Sequence, residues 1–270
     1  MPTSSLIIPT YNRQDIALET LNYLNLQTSK RFEVIVVDQT KNPHQNLEDF
    51  KFNDSSITYR YVKIEQIGLP NARNVAADIA TTDILIYIDD DCIPEPNLVS
   101  SYINIFRQSD KIIGGWITWY GKTLKNFDTD KRGECQWAPG GNFAVRKKRF
   151  KDLGGFDINF IGNAMLEDAD FGFSIMSSGG QVIYDPTPVM EHLRATSGGT
   201  RKESPSKGMY YRSHNTVYFL RKHNLRLRIF PAIFYLAAVA IKDFINRKHG
   251  PVAILWTPIG FIRGVFTKIQ

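Results

Sequence analysis

Five apolar or aromatic residues, Ile84-Leu85-Ile86-Tyr87-Ile88, run straight into three carboxylates, Asp89-Asp90-Asp91, and Cys92-Ile93-Pro94 follows at once. An unbroken apolar run suits a strand buried on both faces, and the proline is expected to end it. The acids should therefore stand at the strand's carboxyl edge. Three like charges placed together ionise most easily beside a cation, so a divalent metal is the natural partner, and oxygen ligands favour magnesium or manganese over zinc. A solvated acidic turn would carry the same three letters; the apolar run before them and the proline after them favour a site.

The residues ahead of that strand keep an α/β rhythm. Leu6 to Ile8 reads as a short strand, and Asp15 to Leu26 as a helix with Ile16, Ala17, Leu21, Leu24 and Leu26 at helical spacing. Phe32 to Asp38 is a second, nearly all-apolar strand, Thr58 to Val62 alternates like another, Leu69 to Ala80 reads as a helix, and Ile84 to Asp89 is the next strand. Strands alternating with helices imply right-handed crossovers and a mostly parallel sheet flanked by helices, the α/β class. Ligands bind such sheets at the carboxyl ends of strands. Pro9, Thr10, Tyr11, Asn12, Asp38 and Asp89 to Asp91 all follow strands, so one cleft should gather them. Neither a G-x-x-x-x-G-K-[ST] nor a G-x-G-x-x-G loop is present, which argues against a P-loop enzyme or a dinucleotide-binding fold.

The second half changes character. In Trp137-Ala138-Pro139-Gly140-Gly141-Asn142-Phe143-Ala144-Val145, two glycines and an amide precede a short apolar strand. The glycines, Gly140 and Gly141, could let the backbone approach a ligand, or simply make a turn. Further on, Glu167, Asp168 and Asp170 open an expected helix, where acids are favoured by the helix dipole even without a function.

Charge divides the chain more sharply than apolar pattern does. Residues 1–200 carry 20 Lys and Arg against 25 Asp and Glu, whereas the last 70 carry 13 against Glu203 and Asp243 alone. A basic tail approaches phosphate-rich surfaces. Between its charges lie the uncharged stretch Ile229 to Ile241 and a second apolar stretch, Pro251 to Phe266, interrupted by Arg263. Both fall short of the ~20 residues needed to cross a bilayer. Flanked by Arg226, Arg228, Lys242, Arg247, Lys248 and Lys268, with Tyr235 and Trp256 as headgroup-level anchors, they fit segments lying in a membrane interface. Core or dimer-interface helices would show the same pattern. No nucleic-acid partner is expected. At 270 residues and 43% hydrophobic content the chain suits one large domain with or without an appendage. Cys92 and Cys135 match neither a metal spacing nor a disulfide framework, and the amino terminus lacks a signal-peptide pattern, so a reducing cytosolic setting is expected.

Five of these motifs, in this order, resemble the inverting family 2 glycosyltransferases over most of residues 4–223. Leu6 to Arg13 is similar to the family's opening strand and nucleotide-contacting turn, Val36 to Thr40 to its second-strand motif, and Gly68-Leu69-Pro70-Asn71-Ala72-Arg73-Asn74 to its glycine-to-Ala-Arg-Asn helix start. Asp89-Asp90-Asp91 fits the D-x-D motif and Glu167-Asp168 the E-D motif, and Tyr210 to His223 looks like the carboxyl-terminal helix of many bacterial members. The resemblance implies a GT-A fold over residues 1–224, with a nucleotide half to about residue 110, an acceptor half from about 111, and a helical appendage at 225–270. It implies nucleotide-sugar contacts from Pro9, Thr10, Tyr11, Asn12, Arg13, Asp38, Arg73, Asp89 and Asp90. Asp91 would hold Mg²⁺ or Mn²⁺, with Asp89 steering either the ribose or the metal. Asp168 would be the catalytic base, with Glu167, Gly141 and Asn142 on the sugar or acceptor side. His192, an imidazole, suits a further metal or diphosphate contact, though a lone histidine is more often structural. The implied reaction moves a sugar from a UDP donor, with dTDP or GDP behind it, to a saccharide or polyprenyl-linked saccharide in cell-surface or exopolysaccharide synthesis. The enzyme would then lie on the cytoplasmic face of the membrane. Gln39, where the family usually has an acidic or small residue, leaves base selectivity open. Two other classes remain: a haloacid dehalogenase-type phosphatase with Asp89 as nucleophile, and a non-catalytic nucleotide-sugar or carbohydrate-binding module.

Overall fold

The computed structural model describes residues 3–42, 44–108, 116–117, 131–137, 140–199, 207–245 and 252–270. Ala138 and Pro139 of the glycine turn, and Arg247, Lys248 and Pro251 of the tail, lie outside these residues. The amino-terminal half alternates as its pattern requires: β1 (Ser5–Thr10), α1 (Gln14–Leu24), β2 (Glu33–Asp38), α2 (Gln45–Glu48), β3 (Thr58–Lys63), α3 (Leu69–Ile79) and β4 (Ile84–Ile88). Parallel pairing joins β3 to β2, β2 to β1 and β1 to β4. Beyond β4 the sheet turns mixed. Strand β8 (Asn142–Arg146) runs antiparallel to β4, and β6 (Trp116–Ile117), β9 (Val182–Tyr184) and β7 (Gly133–Cys135) complete the order β3-β2-β1-β4-β8-β6-β9-β7.

Strand periodicity builds a core on each side of this sheet. Leu6, Ile8, Val34, Val36, Ile86 and Ile88 point to one face, packing with Leu21 and Leu24 of α1 and with Tyr102 and Phe106 of α4 (Leu98–Arg107). Ile7, Ile35, Leu85 and Tyr87 point to the other, against Ala72 and Ala76 of α3, Phe150 of α5 (Lys147–Asp152) and Phe171 of α6 (Glu167–Ser177). Burying each such aliphatic or aromatic side chain contributes about 1.5–3 kcal/mol. Neither face is left to solvent, which is why β1, β2 and β4 lack polar alternation.

One element departs from the sequence expectation. Cys92-Ile93-Pro94 does not simply stop the chain but forms β5 (Cys92–Pro94), antiparallel to β10 (Met190–His192) in a separate two-stranded sheet. The proline is tolerated because it stands at the end of an edge strand, where a missing N–H breaks no interior ladder. The ladder places His192 opposite Cys92, one residue from Asp91. It closes with Leu193 N–H donating to the Asp91 carbonyl at 2.8 Å.

The tail is helical: α7 (Gly208–Lys222), a 3-10 turn at Arg226–Arg228, α8 (Ile229–Ile245) and α9 (Val252–Phe266). Helix α9 lies so close along α7 that a Cβ on Gly260 would sit 2.1 Å from the Tyr210 carbonyl oxygen, and one on Gly264 2.6 Å from that of His214. Side chains tie the other side of α7 to the body. Lys222 bridges Asp157 at 2.7 Å and Asp170 at 2.9 Å, and His223 Nε2 meets Asp170 at 2.8 Å. Among the described residues no helix is long and apolar enough to cross a membrane.

Candidate active site

A cleft of about 640 Å³ opens where the carboxyl ends of β1 and β4 meet the start of α6. Pro9, Thr10, Tyr11, Arg13, Arg73, Asp89, Asp90, Asp91, Gly141, Glu167, Asp168 and His192, twelve of the residues expected from the sequence, line it. Strands end here because Asp89 to Asp91 leave the apolar run, and their charges gather in one turn with three different partners.

Asp90 faces inward. Thr10 Oγ1 donates to it at 2.8 Å and Arg13 Nη1 at 3.1 Å. Burial pushes its carboxyl up to about 7, against the pull of Arg13 and Thr10, with Asp91 and Asp89 adding repulsion. Asp91 is buried as well; its Oδ2 accepts from Ala195 N–H at 2.7 Å and lies 3.4 Å from Arg13 Nη1. Its Oδ1 is buried without a hydrogen-bond partner, 3.5 Å from His192 Nε2. Asp89 Oδ2 is 3.1 Å from the same imidazole nitrogen.

One ligand atom each from Asp89, Asp91 and His192 therefore lies within 4.8 Å of the others. An orphaned buried carboxylate oxygen costs free energy unless something positive meets it. Two carboxylates and an imidazole suit a divalent cation of the Mg²⁺ or Mn²⁺ kind, so the residues fit such a group. His192 Nδ1 accepts from Arg194 N–H at 3.1 Å, which leaves the neutral ring's proton on Nε2, facing the acids. Ligation through Nε2 would replace that proton.

The opposite wall is organised by Arg73, buried at 1% exposure. Its Nη1 donates to Glu167 Oε1 at 3.0 Å, its Nη2 to the Gly140 carbonyl at 2.7 Å, and Nη2 lies 3.6 Å from Asp89 Oδ1. The Phe156 ring lies 5.0 Å from the guanidinium carbon. Gly140 then donates its own N–H to Asp168 Oδ2 at 3.1 Å. One buried cation thus spans from the Asp89 turn to the first turn of α6. There the three acids part: Glu167 turns to Arg73, Asp168 lines the cleft, and Asp170 points away to Lys222 and His223.

Three expected residues stand elsewhere. Asp38 is fully buried behind the wall, accepting from Gln14 Nε2 and Tyr61 Oη at 2.7 Å each and from Thr40 N–H at 2.7 Å. Its neighbour Gln39 lines the cleft instead, with its amide oxygen accepting from Gly68 N–H at 2.6 Å. Asn142 is also fully buried, bound to Tyr102 Oη at 2.7 Å and the Pro188 carbonyl at 2.9 Å. Asn12 is exposed at the rim with φ 52°, its N–H on Thr40 Oγ1. Gly141 touches the acids directly: a Cβ there would meet Asp89 Oδ2 at 2.7 Å. Arg194, an exposed cation at the mouth of the cleft, carried no motif and was not anticipated. Only the β5–β10 ladder, a contact 100 residues distant in sequence, brings its loop to the acids. Arg13 fastens that loop through Ser197 and Ala195 carbonyls at 2.8 and 3.3 Å.

Comparison with known proteins places this geometry in a family. The model of glycosyl transferase family 2 matches residues 5–166, and the chain belongs to that family. Its fold is that of nucleotide-sugar enzymes of the GT-A type. TarS 1–349 of S. aureus in complex with UDP-GlcNAc superposes with a TM-score of 0.66 at 17% identity, covering 97% of this chain and 81% of that one. The mannosyltransferase PcManGT of Pyrobaculum calidifontis, in complex with GDP-Man and Mn²⁺, gives 0.60 at 18% identity, covering 100% and 76%. Among curated sequences, the glucosyl-dolichyl phosphate glucuronosyltransferase of Haloferax volcanii is 25% identical over 176 residues, 57% of this chain. That alignment spans only 56% of the relative's own length. Family membership leaves the phosphatase reading of Asp89 without support.

Proposed function

We propose that the protein transfers a sugar, with inversion at its anomeric carbon, from a nucleoside diphosphate donor to a hydroxyl of a lipid-linked saccharide. The observation that carries this reading is the Arg73 bridge, which fixes the Asp89–Asp91–His192 trio and the Asp168 carboxylate on facing walls of one cleft. In-line displacement needs those two poles. The diphosphate would lie toward Asp89, Asp91 and His192, where a bound divalent cation would offset the charge that builds on the leaving group. Arg194 at the mouth supplies a second positive contact to that diphosphate. The anomeric carbon would sit between the walls, with the acceptor hydroxyl approaching from α6. Asp168 takes the hydroxyl proton as the new C–O bond forms and the sugar–phosphate bond breaks. Held by Gly140 N–H and Ala169 N–H, this carboxylate stays aimed. Glu167, neutralised by Arg73, is a positioning residue rather than a second base.

UDP is the first-choice donor, supported by the likeness to the TarS complex, with dTDP and GDP behind it. The lipid-linked acceptor is supported by the H. volcanii relative and by the basic, apolar tail. Peripheral attachment to the cytoplasmic face of a membrane through residues 225–270 fits the same tail, as does a division into a catalytic unit to about residue 224 and an appendage. A haloacid dehalogenase-type activity and a purely binding role both leave Asp168 without a task.

Donor binding tests the reading. Calorimetry with UDP, dTDP and GDP sugars in Mn²⁺ should find one class bound in the micromolar range, with slow hydrolysis of that donor. Asp91→Asn, which keeps shape but removes charge, should abolish the metal-dependent part of that binding. Wild-type donor affinity and unchanged metal dependence in Asp91→Asn would overturn the metal assignment and with it the donor's orientation.

A further inference from the structure

We propose that the groove between α8 and α9 receives the hydrocarbon chain of the acceptor's lipid anchor. This rests on the transferase reading above. The groove holds about 380 Å³, within the range of small-ligand sites, and is walled by Ile233, Ala237 and Ile241 of α8 with Ile254, Phe261 and Ile262 of α9. Thr257 is the lone polar side chain lining it. A nucleotide, a sugar or a peptide backbone entering there would lose hydrogen bonds to water with almost nothing to replace them. A hydrocarbon chain loses none. Outside the groove the same helices expose Phe230, Phe234, Ile245, Leu255 and Phe266 at 62 to 82%, further apolar surface for the rest of a long chain.

Charge selects among apolar occupants. From residue 204 onward the sequence carries eleven Lys and Arg against Asp243 alone, and two exposed cations, Lys242 and Arg263, directly follow the lining residues Ile241 and Ile262. A second copy of the chain would bring the same positive charge against itself, whereas a lipid bearing a phosphate or diphosphate supplies the opposite sign. The groove's supports also lead to the acceptor wall. Helix α9 rests on α7 through Gly260 and Gly264, and a Cβ on Gly162 would meet the Tyr211 ring of α7 at 2.3 Å. Asn215 of α7 exchanges two hydrogen bonds with the Ile161 backbone, at 3.2 and 3.1 Å. Four residues beyond Ile161, Met165 and then Leu166 line the cleft beside Asp168.

The test uses the full chain in detergent micelles and a dansyl-labelled polyprenyl monophosphate of long chain, with a two-isoprene analogue as control. Saturable binding of the long probe is expected, at least tenfold weaker in Ala237→Trp, which fills the groove from an exposed position, and in Ile262→Glu. Binding of UDP and metal-dependent donor hydrolysis should stay at wild-type level in both variants. Equal affinity for long and short probes, or equal affinity in wild type and both variants, overturns the proposal. Sedimentation showing that either variant dissolves a dimer would assign the groove to a second copy and also overturn it. A loss of flotation on acceptor-free anionic vesicles as large as the loss of probe binding would assign it to bilayer lipid instead. Should wild type hydrolyse donor yet glycosylate no lipid-linked saccharide, the acceptor reading fails separately, and probe binding alone decides the groove.

Discussion

Replacing Arg73 by methionine keeps an apolar stem of similar reach and removes only the guanidinium. The loss should be large because its pair with Glu167 is buried. Arg73 is 1% exposed and Glu167 6%, so water reaches little of either. At their separation of 3.0 Å, an effective dielectric constant near 20 gives a Coulomb attraction of about 5 kcal/mol, most of which offsets the cost of burying both charges. Removing one partner leaves that cost unopposed, about 3–5 kcal/mol for a broken buried pair. The Gly140 carbonyl loses its donor in the same step. Against a domain stability of roughly 5–15 kcal/mol this is a sizeable share. Urea unfolding followed by tryptophan fluorescence should show Arg73→Met destabilised by about 3–5 kcal/mol, with an unchanged slope. Glu167→Gln on top of it should restore roughly 1–2 kcal/mol, since a buried amide that has lost the guanidinium costs less than a buried carboxylate that has lost it. A double-mutant cycle closing with less than about 1 kcal/mol of coupling, or Arg73→Met within about 1 kcal/mol of wild type, would refute the bridge as a buried charge pair.

Three further outcomes follow from single contacts. Asp168→Asn should lower kcat by about 10²–10⁴-fold while donor affinity, measured by calorimetry, stays within a factor of two or so, and a collapse of donor binding would move Asp168 to the nucleotide side. Gly141→Ala should push Asp89 aside and weaken Mn²⁺ binding by about tenfold in a paramagnetic-relaxation titration, since a Cβ 2.7 Å from Asp89 Oδ2 cannot be accommodated in place; unchanged Mn²⁺ affinity would remove Asp89 from the metal set. Burial lowers the His214 imidazole below its usual value, so the folded state binds fewer protons than the unfolded one there. Its stabilisation is complete above about pH 6.5 and is lost as pH falls below it, so thermal melts should show a decline there that shrinks in His214→Gln.

How far the sequence disclosed this site depended on whether a residue's role was local. Asp89 to Asp91 were legible because an apolar strand must end where charge begins, and Asp168 because the family motif sits on a helix start. Asp38 stands outside the cleft for a physical reason. It too ends a buried strand, but Gln14 and Tyr61, from elements on either side in sequence, satisfy it, and the neighbouring side chain, Gln39, reaches the cleft. Asn142 shares that history with Tyr102 and Pro188. Such partners are set by packing between distant segments, which no local spacing reports. Arg194 was missed for the converse reason: a cation in a loop without periodicity gains meaning only when β5 pairs with β10. The two apolar stretches of the tail were legible as helices. The packing of α9 along α7 is carried by Gly260 and Gly264, four residues apart, a spacing that allows close helix approach but is hidden within an apolar run.

Backbone strain gathers around the site, with Asn224 after α7 the exception. Five described non-glycine residues have positive φ: Asn12 at 52°, Ala164 at 51°, Leu166 at 77°, Arg194 at 56° and Asn224 at 58°. Leu166 and Arg194 line the cleft, Asn12 lies between the lining residues Tyr11 and Arg13, and Ala164 precedes lining Met165. For leucine, alanine and arginine the left-handed region costs about 1–2 kcal/mol each. That cost persists because the surroundings over-determine each residue. Asp170 N–H donates to the Leu166 carbonyl at 2.8 Å, opening α6 on a residue that cannot itself cap with a side chain. Arg194 N–H is held by His192 Nδ1, and its loop by Arg13. In return, the strained turn at Leu166 presents Glu167 and Asp168 at the helix start, and the one at Arg194 presents His192 and a cation to the opposite wall. In the proposed reaction, relaxing either turn would swing Asp168 or the Asp89–Asp91–His192 trio out of place, so the strain is concentrated where an acceptor hydroxyl and a leaving diphosphate would be held in line.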